Sequence, residues 1–380
     1  MYRINTDKLR HSLLRHQNKS WVRTMTIQAI GLKNFTVFED FRIDVSSGIN
    51  VFIGENGTGK THLLKVLYAA CEISKGGSSG AEFLKKCFKK KVALELFRNA
   101  QRRELDIYLK ANCKNKEIIV CESSFPVVRI VHNGKLDEGN KFSEDKPESK
   151  DESYQIHLQE DVIFDATFIP CKDMLTHADG FLAMANKYRD FPFDKTLTDI
   201  VIKASQWKMK QPPKLAMDIL PILEEMMDGI VVFENDEFYI KKNNGQLILF
   251  ELEAEGLKKV GLLWQLLMTD NLNEDSILIW DEPEANLNPK FLSKIVECLL
   301  ELSRHGVQIF LSTHNYIFAK YFDVAKKDND RVLFHSLYFE EKTEGVKCET
   351  QPYFENLKHN DISAAFNHLL ERVYQIQIGD

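Results

Sequence analysis

An α/β fold is what the sequence predicts: a mixed sheet carrying an antiparallel strand lobe and a helical insertion. Three observations point there. The apolar run Asn50 to Ile53 ends on a glycine-rich turn and feeds a helical stretch, roughly Lys60 to Ser74. Two later apolar runs, Ile277 to Trp280 and Gln308 to Leu311, have the length and continuity of strands buried on both faces of a parallel sheet. Between them lie alternating segments separated by turn residues, and then apolar residues at helical spacing.

Taken in order, residues 1–24 read as a basic helical leader. Arg3, Lys8, Arg10, Arg15, Lys19 and Arg23 are opposed only by Asp7, and Leu9 and Leu13 share a helical face. Such a leader is either a solvated extension or a contact for nucleic acid or a partner, and Met25 stands as an alternative start. Residues 25–170 form a first lobe. Its β-type runs are Met25 to Ile30 and Phe41 to Val45, followed by a meander near Val92 to Phe97, Leu105 to Leu109, Glu117 to Val120 and Val127 to Val131. Within it, residues 134–153 are rich in acids and lysines with almost nothing apolar, too little to offset the entropy of ordering, and read as a mobile loop. Residues 171–229 form the helical insertion, with helices around Ala178 to Tyr188, Leu197 to Trp207 and Leu215 to Met227. Residues 230–380 form a second lobe of short strands, a long helix from about Leu257 to Met268, the two buried strands, and a terminal helix near Asp361 to Gln375.

Composition narrows the function classes. Fifty Lys and Arg against 56 Asp and Glu leave a net charge of −6, so bulk charge gives no general pull toward nucleic acid or acidic membranes. No apolar run reaches the length of a membrane span, and the expectation is a cytoplasmic protein without membrane contact. Seven cysteines without a CxxC pair suit neither a disulfide framework nor a zinc knuckle.

The chemistry concentrates in two places. Gly54-Glu55-Asn56-Gly57-Thr58-Gly59-Lys60-Thr61 fits GxxxxGK[ST] between a strand and a helix. Glycines let backbone N–H groups close around a phosphate at the helix N-terminus, where partial positive charge favours an anion. Lys60 adds a cation for the β- and γ-phosphates, and the Thr61 hydroxyl is a Mg²⁺ ligand. The second place is Asp281-Glu282-Pro283 at the C-terminal end of an apolar strand, where open α/β sheets bind ligands. Asp281 would hold the magnesium through water, and Glu282 would polarise the attacking water. Five lysines, Lys85, Lys86, Lys89, Lys90 and Lys91, are either ordinary surface charges or a grip on nucleic-acid phosphates.

These residues, with Ala285-Asn286-Leu287-Asn288-Pro289 and Leu311-Ser312-Thr313-His314, resemble the Walker B, D-loop and switch histidine of ABC-type P-loop ATPases. They are most similar to the RecF, SMC and OLD-like branch, in order over residues 25 to about 325. The resemblance implies ATP and Mg²⁺ as cofactors and a head-to-tail homodimer, with each ATP between one subunit's phosphate loop and the other's signature helix. Asn286 and Asn288 would lie across that seam, and His314 would contact the γ-phosphate. The LSGGQ signature is absent. The nearest segment is Glu253-Ala254-Glu255-Gly256-Leu257-Lys258-Lys259, with alanine where relatives often carry serine. There, backbone N–H groups at Gly256 and Leu257, with Lys258 or Lys259, would complete the site. Ile169 to Leu175 occupies the place of a Q-loop without its glutamine, so that Lys172 or Asp173 substitutes or the segment is a plain junction. Lys33-Asn34-Phe35 precedes the phosphate loop as the adenine-side loop does in relatives, with Phe35 read either as stacking on the base or as core.

Three functions fit. One is a slow Mg-ATPase whose ATP-dependent dimerisation controls a separate effector in a bacterial antiviral defence or stress system, with no room in the chain for an attached TOPRIM nuclease. Another is a RecF-like DNA-binding repair ATPase. The last is a scaffold that holds ATP with little turnover. An SMC protein proper is excluded by the lack of sustained heptads.

Overall fold

The computed structural model describes residues 24–75, 80–89, 96, 98, 104–114, 126–132, 152–155, 163–188, 193–340 and 345–378. The basic leader up to residue 23, the meander segments at 92–97 (Leu96 apart) and 117–120, and the loop expected at 134–153 lie outside the described residues, except that Glu152 and Ser153 open a strand.

The chain begins with β1 (Thr24–Phe35), β2 (Phe38–Asp44) and β3 (Ile49–Gly54), then α1 (Lys60–Ser74) and α2 (Gly80–Phe88). There follow β4 (Glu104–Lys114), β5 (Pro126–His132), β6 (Glu152–Gln155) and β7 (Ala166–Ile169). Three helices come next, α3 (Phe181–Lys187), α4 (Lys195–Ala204) and α5 (Leu220–Met227), and a small meander, β8 (Gly229–Glu234), β9 (Glu237–Lys242) and β10 (Leu247–Leu249). The remainder is α6 (Glu255–Met268), β11 (Ile277–Asp281), α7 (Leu292–Arg304), β12 (Gln308–Ser312), α8 (Tyr316–Ala325), β13 (Val332–Phe339), β14 (Val346–Gln351) and α9 (Asp361–Ile378).

These strands make three sheets: β14-β13-β3-β12-β11-β7, β2-β1-β4-β5-β6 and β10-β9-β8. In the first, β13, β3, β12, β11 and β7 run parallel and only β14 is antiparallel, which makes the sheet mixed. All residues of β3, β7, β11 and β12 are buried, as strands covered on both faces must be. Alternation along these strands divides the protein into two cores. Phe52, Ile277, Ile279 and Phe310 face the side chains of α1 and the antiparallel sheet, whereas Val51, Leu278, Trp280 and Leu311 face α6, α7 and α8.

One buried side chain ties the two sheets together. Gln308, 1% exposed, accepts from Ile27 N–H (2.9 Å) and donates to the carbonyls of Ile27 and Ser46 (2.7 Å each). Ile27 sits where the β1–β4 register slips, so its backbone groups need a partner from elsewhere, and Gln308 is that partner.

The helices between β7 and β8 are shorter than their periodicity predicts, for local reasons. Gly180 at φ 63° precedes α3. Asp194 caps α4 by accepting from Thr196 and Leu197 N–H, which sets its start earlier than expected. The stretch expected as one helix from Leu215 to Met227 is broken into a 3₁₀ turn at Lys214–Ala216 and α5, because Pro221 is tolerated only in a first turn. Among the described residues no helix is long and apolar enough to cross a membrane.

Candidate active site

The glycine loop is shaped by steric necessity at two points. A Cβ on Gly54 (φ 139°) would stand 2.2 Å from the Leu337 carbonyl oxygen. One on Gly59 (φ 88°) would meet Val37 Cγ2 at 2.6 Å and Phe38 Cζ at 2.9 Å. Gly59 is the N-cap of α1 and brings no side chain to its first N–H groups, which leaves them for an anion. Lys60 folds back over the loop, its Nζ donating to the carbonyls of Gly54 and Glu55 at 2.8 Å each. Burial lowers its pKa to about 8, against the opposing pull of Glu282 and Asp281. A phosphate beside it would raise that value again. The Thr58 hydroxyl is spent on Glu55 O (2.9 Å) and pins the loop, while Glu55 and Asn56 are exposed.

Parallel pairing of β11 with β12 sets Asp281 beside Ser312. Ser312 Oγ donates to Asp281 Oδ1 at 2.6 Å, and Thr61 Oγ1 lies 3.0 and 3.2 Å from the two Asp281 oxygens. A hydroxyl and a carboxylate side by side, next to an uncapped helix N-terminus and a lysine, are the oxygen donors Mg²⁺ takes in phosphate sites, so the residues present fit a Mg²⁺-nucleotide.

Glu282 follows in the left-handed region, φ 51°. Its Oε1 is 3.7 Å from His314 Nε2, and its Oε2 accepts from Cys171 Sγ at 3.4 Å. The His314 pKa is lowered, by burial first and by Lys60 second, with Glu282 and Asp281 opposing. The Thr313-His314 corner is held by a residue that sequence reading missed. Glu284, 8% exposed, accepts from Thr313 Oγ1 (2.6 Å) and His314 N–H (3.2 Å), and burial pushes its carboxyl up against those hydrogen bonds. An open cavity of about 450 Å³ lies against Gly54, Glu55, His314, Tyr316 and the α9 residues Phe366 and Leu369.

The segment after β7 brings a different side chain to Glu282. The carboxylate of Asp173 is occupied with Leu175 N–H (3.1 Å) and Thr176 N–H (3.2 Å), and Lys172 is exposed. Cys171 is the residue that reaches the site. A correction concerns the adenine side. Phe35 is 0% exposed with its ring edge-on to Phe88 at 5.4 Å, and Asn34 is 2% exposed at φ 55° near the end of β1. Phe35 is core and offers no face to a base.

The signature-like segment and the D-loop-like segment meet in one chain. Ala254 is the N-cap of α6, and a Cβ on Gly256 would stand 2.6 Å from Asn286 O and 2.9 Å from Leu287 Cα, so this glycine permits the helix start to touch the loop. Lys258, 4% exposed, pairs with Glu255 at 2.6 Å, and Lys259 Nζ donates to Glu282 O at 2.8 Å. Asn286 (φ 64°) and Asn288 are exposed, and the Asn288 side chain accepts from Lys290 N–H at 3.1 Å.

A glycine cradle on β3, with carboxylates and a histidine on the neighbouring parallel strands, defines a P-loop ATPase of the RecF/SMC-like kind. The profile described as "AAA domain, putative AbiEii toxin, Type IV TA system" matches residues 125–319, just over half of the chain, and the chain belongs to this family. The profile "AAA ATPase domain" matches residues 25–191. The fold is similar to the Smc head domain with an extended coiled coil bound to the C-terminal domain of ScpA from Pyrococcus furiosus. The TM-score there is 0.51 at 12% identity, over 92% of this chain and 100% of that one. It is similar also to an SmcHead bound to the C-winged helix domain of ScpA, with TM-score 0.52 at 13% identity over 86% and 98%. Among curated proteins, the DNA replication and repair protein RecF of Cytophaga hutchinsonii is 45% identical over 47 residues, 12% of each chain. RecF of Clostridium kluyveri is 28% identical over 94 residues, 20% of this chain and 26% of that protein. The chain thus spans from 12% to about a quarter of the length of these relatives.

Proposed function

We propose that this chain hydrolyses ATP with Mg²⁺, slowly, and that ATP-dependent pairing of two copies controls a separate effector protein in the cytoplasm. One observation carries the reading: Lys60, Thr61, Asp281, Glu282 and His314 converge from three adjacent parallel strand ends, with Thr61 Oγ1 3.0 Å from Asp281 and Glu282 3.7 Å from His314, and His314 borders an open cavity beside Gly54 and Glu55. Thr61 and Asp281 would hold the Mg²⁺, which when bound neutralises triphosphate charge. The α1 N-terminus and Lys60 would bind the β- and γ-phosphates, Glu282 would orient and deprotonate the attacking water, and His314 would donate to the γ-phosphate. The effector role is supported by the family description, which names a type IV toxin–antitoxin system.

Isothermal calorimetry with Mg-ATP and steady-state phosphate release test it together. Lys60→Ala is expected to weaken nucleotide binding by about 10- to 100-fold or more, the worth of a charge-assisted contact. Glu282→Gln is expected to keep binding and lose about 100-fold or more in turnover. Wild-type affinity in the Lys60 variant would end the assignment. An equally low rate in wild type and Glu282→Gln would make the chain an ATP-holding scaffold instead.

A second reading, a DNA-binding repair ATPase, is favoured by the similarity to RecF proteins and by Lys85 and Lys86 in the last turn of α2. Binding of duplex DNA by the ATP-loaded Glu282→Gln protein, weakening steeply with salt, would select it.

A further inference from the structure

Glu282 is held more firmly than a polarising carboxylate requires. Its N–H donates to Ser312 O (3.2 Å), its carbonyl accepts from Lys259 Nζ (2.8 Å), and its Oε2 accepts from Cys171 Sγ (3.4 Å). The backbone being held is left-handed, a conformation that a β-carbon disfavours and that persists only where the surroundings over-determine it.

Topology explains the thiol's place. Strands β7 and β11 are parallel neighbours with Ile169 opposite Trp280, so two residues further along each strand Cys171 stands level with Glu282. Burial holds the thiol at a pKa of about 11, with Lys259 opposing, so that at neutral pH it carries a proton to donate and no charge to repel the carboxylate. Lys259, 5% exposed on α6, donates from Nζ to the Glu282 carbonyl.

We propose that Cys171 and Lys259 are positioning residues for ATP hydrolysis: the thiol fixes Oε2 so that Oε1 is the oxygen left for water beside His314, and the ammonium locks the left-handed peptide. This rests on the reading of Glu282 as the residue that polarises water. It also makes the start of α6 a part of the site in its own chain. A shift of that helix moves Lys259, and Lys259 moves the Glu282 backbone.

The test uses Cys171→Ala, Cys171→Ser and Lys259→Met in the full chain. Cys171→Ala is expected to lower kcat about tenfold, the worth of one hydrogen bond, with KM within about twofold. Cys171→Ser, whose hydroxyl also donates, is expected to recover most of that loss. Lys259→Met should lower kcat likewise. In a Glu282→Gln background, Cys171→Ala should have no further effect on the residual rate, because the group it positions is gone. Wild-type kcat in Cys171→Ala, or a Ser variant as slow as Ala, would overturn the role. A second readout needs no turnover: the infrared S–H stretching band of Cys171, isolated as wild type minus Cys171→Ser, should shift in Glu282→Gln as the acceptor changes from carboxylate to amide. An unshifted band would overturn the contact. If the wild-type chain binds ATP and hydrolyses none, yet the band still shifts in Glu282→Gln, the clamp stands and the enzyme is refuted.

Discussion

At the scale of single residues, burial sets what each titratable group can do, and His335 shows it outside the site. It is 0% exposed on β13, stacked on Phe52 at 4.8 Å, with Nδ1 2.8 Å from Thr350 Oγ1 and Nε2 3.2 Å from Asn50 Oδ1. Asn50 Oδ1 also accepts from Ser46 N–H (2.7 Å), so Nε2 carries the proton and Nδ1 accepts from Thr350. Burial drives its pKa down to about 3. Between that value and the ordinary 6.5, the unfolded chain takes up a proton that the folded chain refuses. Stability therefore falls as pH drops through this window, by up to about 1.4 kcal/mol per pH unit from this residue. Urea midpoints at pH 7 and pH 5 should fall less steeply for His335→Gln than for wild type, and parallel curves would refute it. Residues like this one are invisible in sequence for the same reason that Glu284 and Cys171 are. Thr61, Asp281 and His314 announce themselves by spacing to a motif, but a carboxylate under the Thr313 corner, or a thiol level with Glu282, acquires its role only when strands far apart in the chain become neighbours.

At the scale of elements, the sequence is most informative where one physical rule acts alone. Helix α1 and strands β3, β11 and β12 follow from an apolar run and a glycine turn, and they appear within a residue or two of expectation. Where two rules compete, periodicity loses: Pro221 splits an apolar stripe that is helical throughout by spacing, and Phe35, aromatic and next to the phosphate loop in sequence, is claimed by the core. Element junctions also hold stability that no pattern reveals. Gln308→Leu would leave the Ile27 N–H and two carbonyls without their partner in a dry place, and should cost about 2 to 5 kcal/mol in urea unfolding. A loss under about 1 kcal/mol would mean that water replaces the side chain. Gly256→Ala would force a methyl against Asn286 O and Leu287 Cα, both backbone, and should cost about 1 to 3 kcal/mol while loosening the helix from the loop.

At the scale of the whole molecule, one face gathers what the proposed pairing needs. Ala254, Glu255, Asn286 and Asn288 are exposed, and the close approach at Gly256 makes the α6 start and the Asn286 loop one surface. Ala254, the N-cap of α6, supplies no side-chain oxygen to that helix N-terminus. A second copy's γ-phosphate, presented from the cavity beside Gly54 and His314, is the anion such a terminus suits. The similarity to SMC heads gives the fold and no more, so the pairing has to be tested on this chain. With Mg-ATP, Glu282→Gln should run as a dimer in light scattering where wild type is predominantly monomeric, and a trapped protein that stays monomeric at saturating ATP would remove the sandwich. Ala254→Ser is the sharper probe. A hydroxyl restored at the N-cap can both cap α6 and donate to the partner's phosphate, a charge-assisted bond of about 1.5 to 3 kcal/mol. The dimer dissociation constant in the Glu282→Gln background should then fall by about tenfold or more, whereas the isolated subunit gains only the cap, about 1 kcal/mol of stability, and no nucleotide affinity. If Ala254→Ser instead raised the melting temperature and left the dimer constant unchanged, α6 would be an ordinary helix start and the seam would lie elsewhere on the molecule.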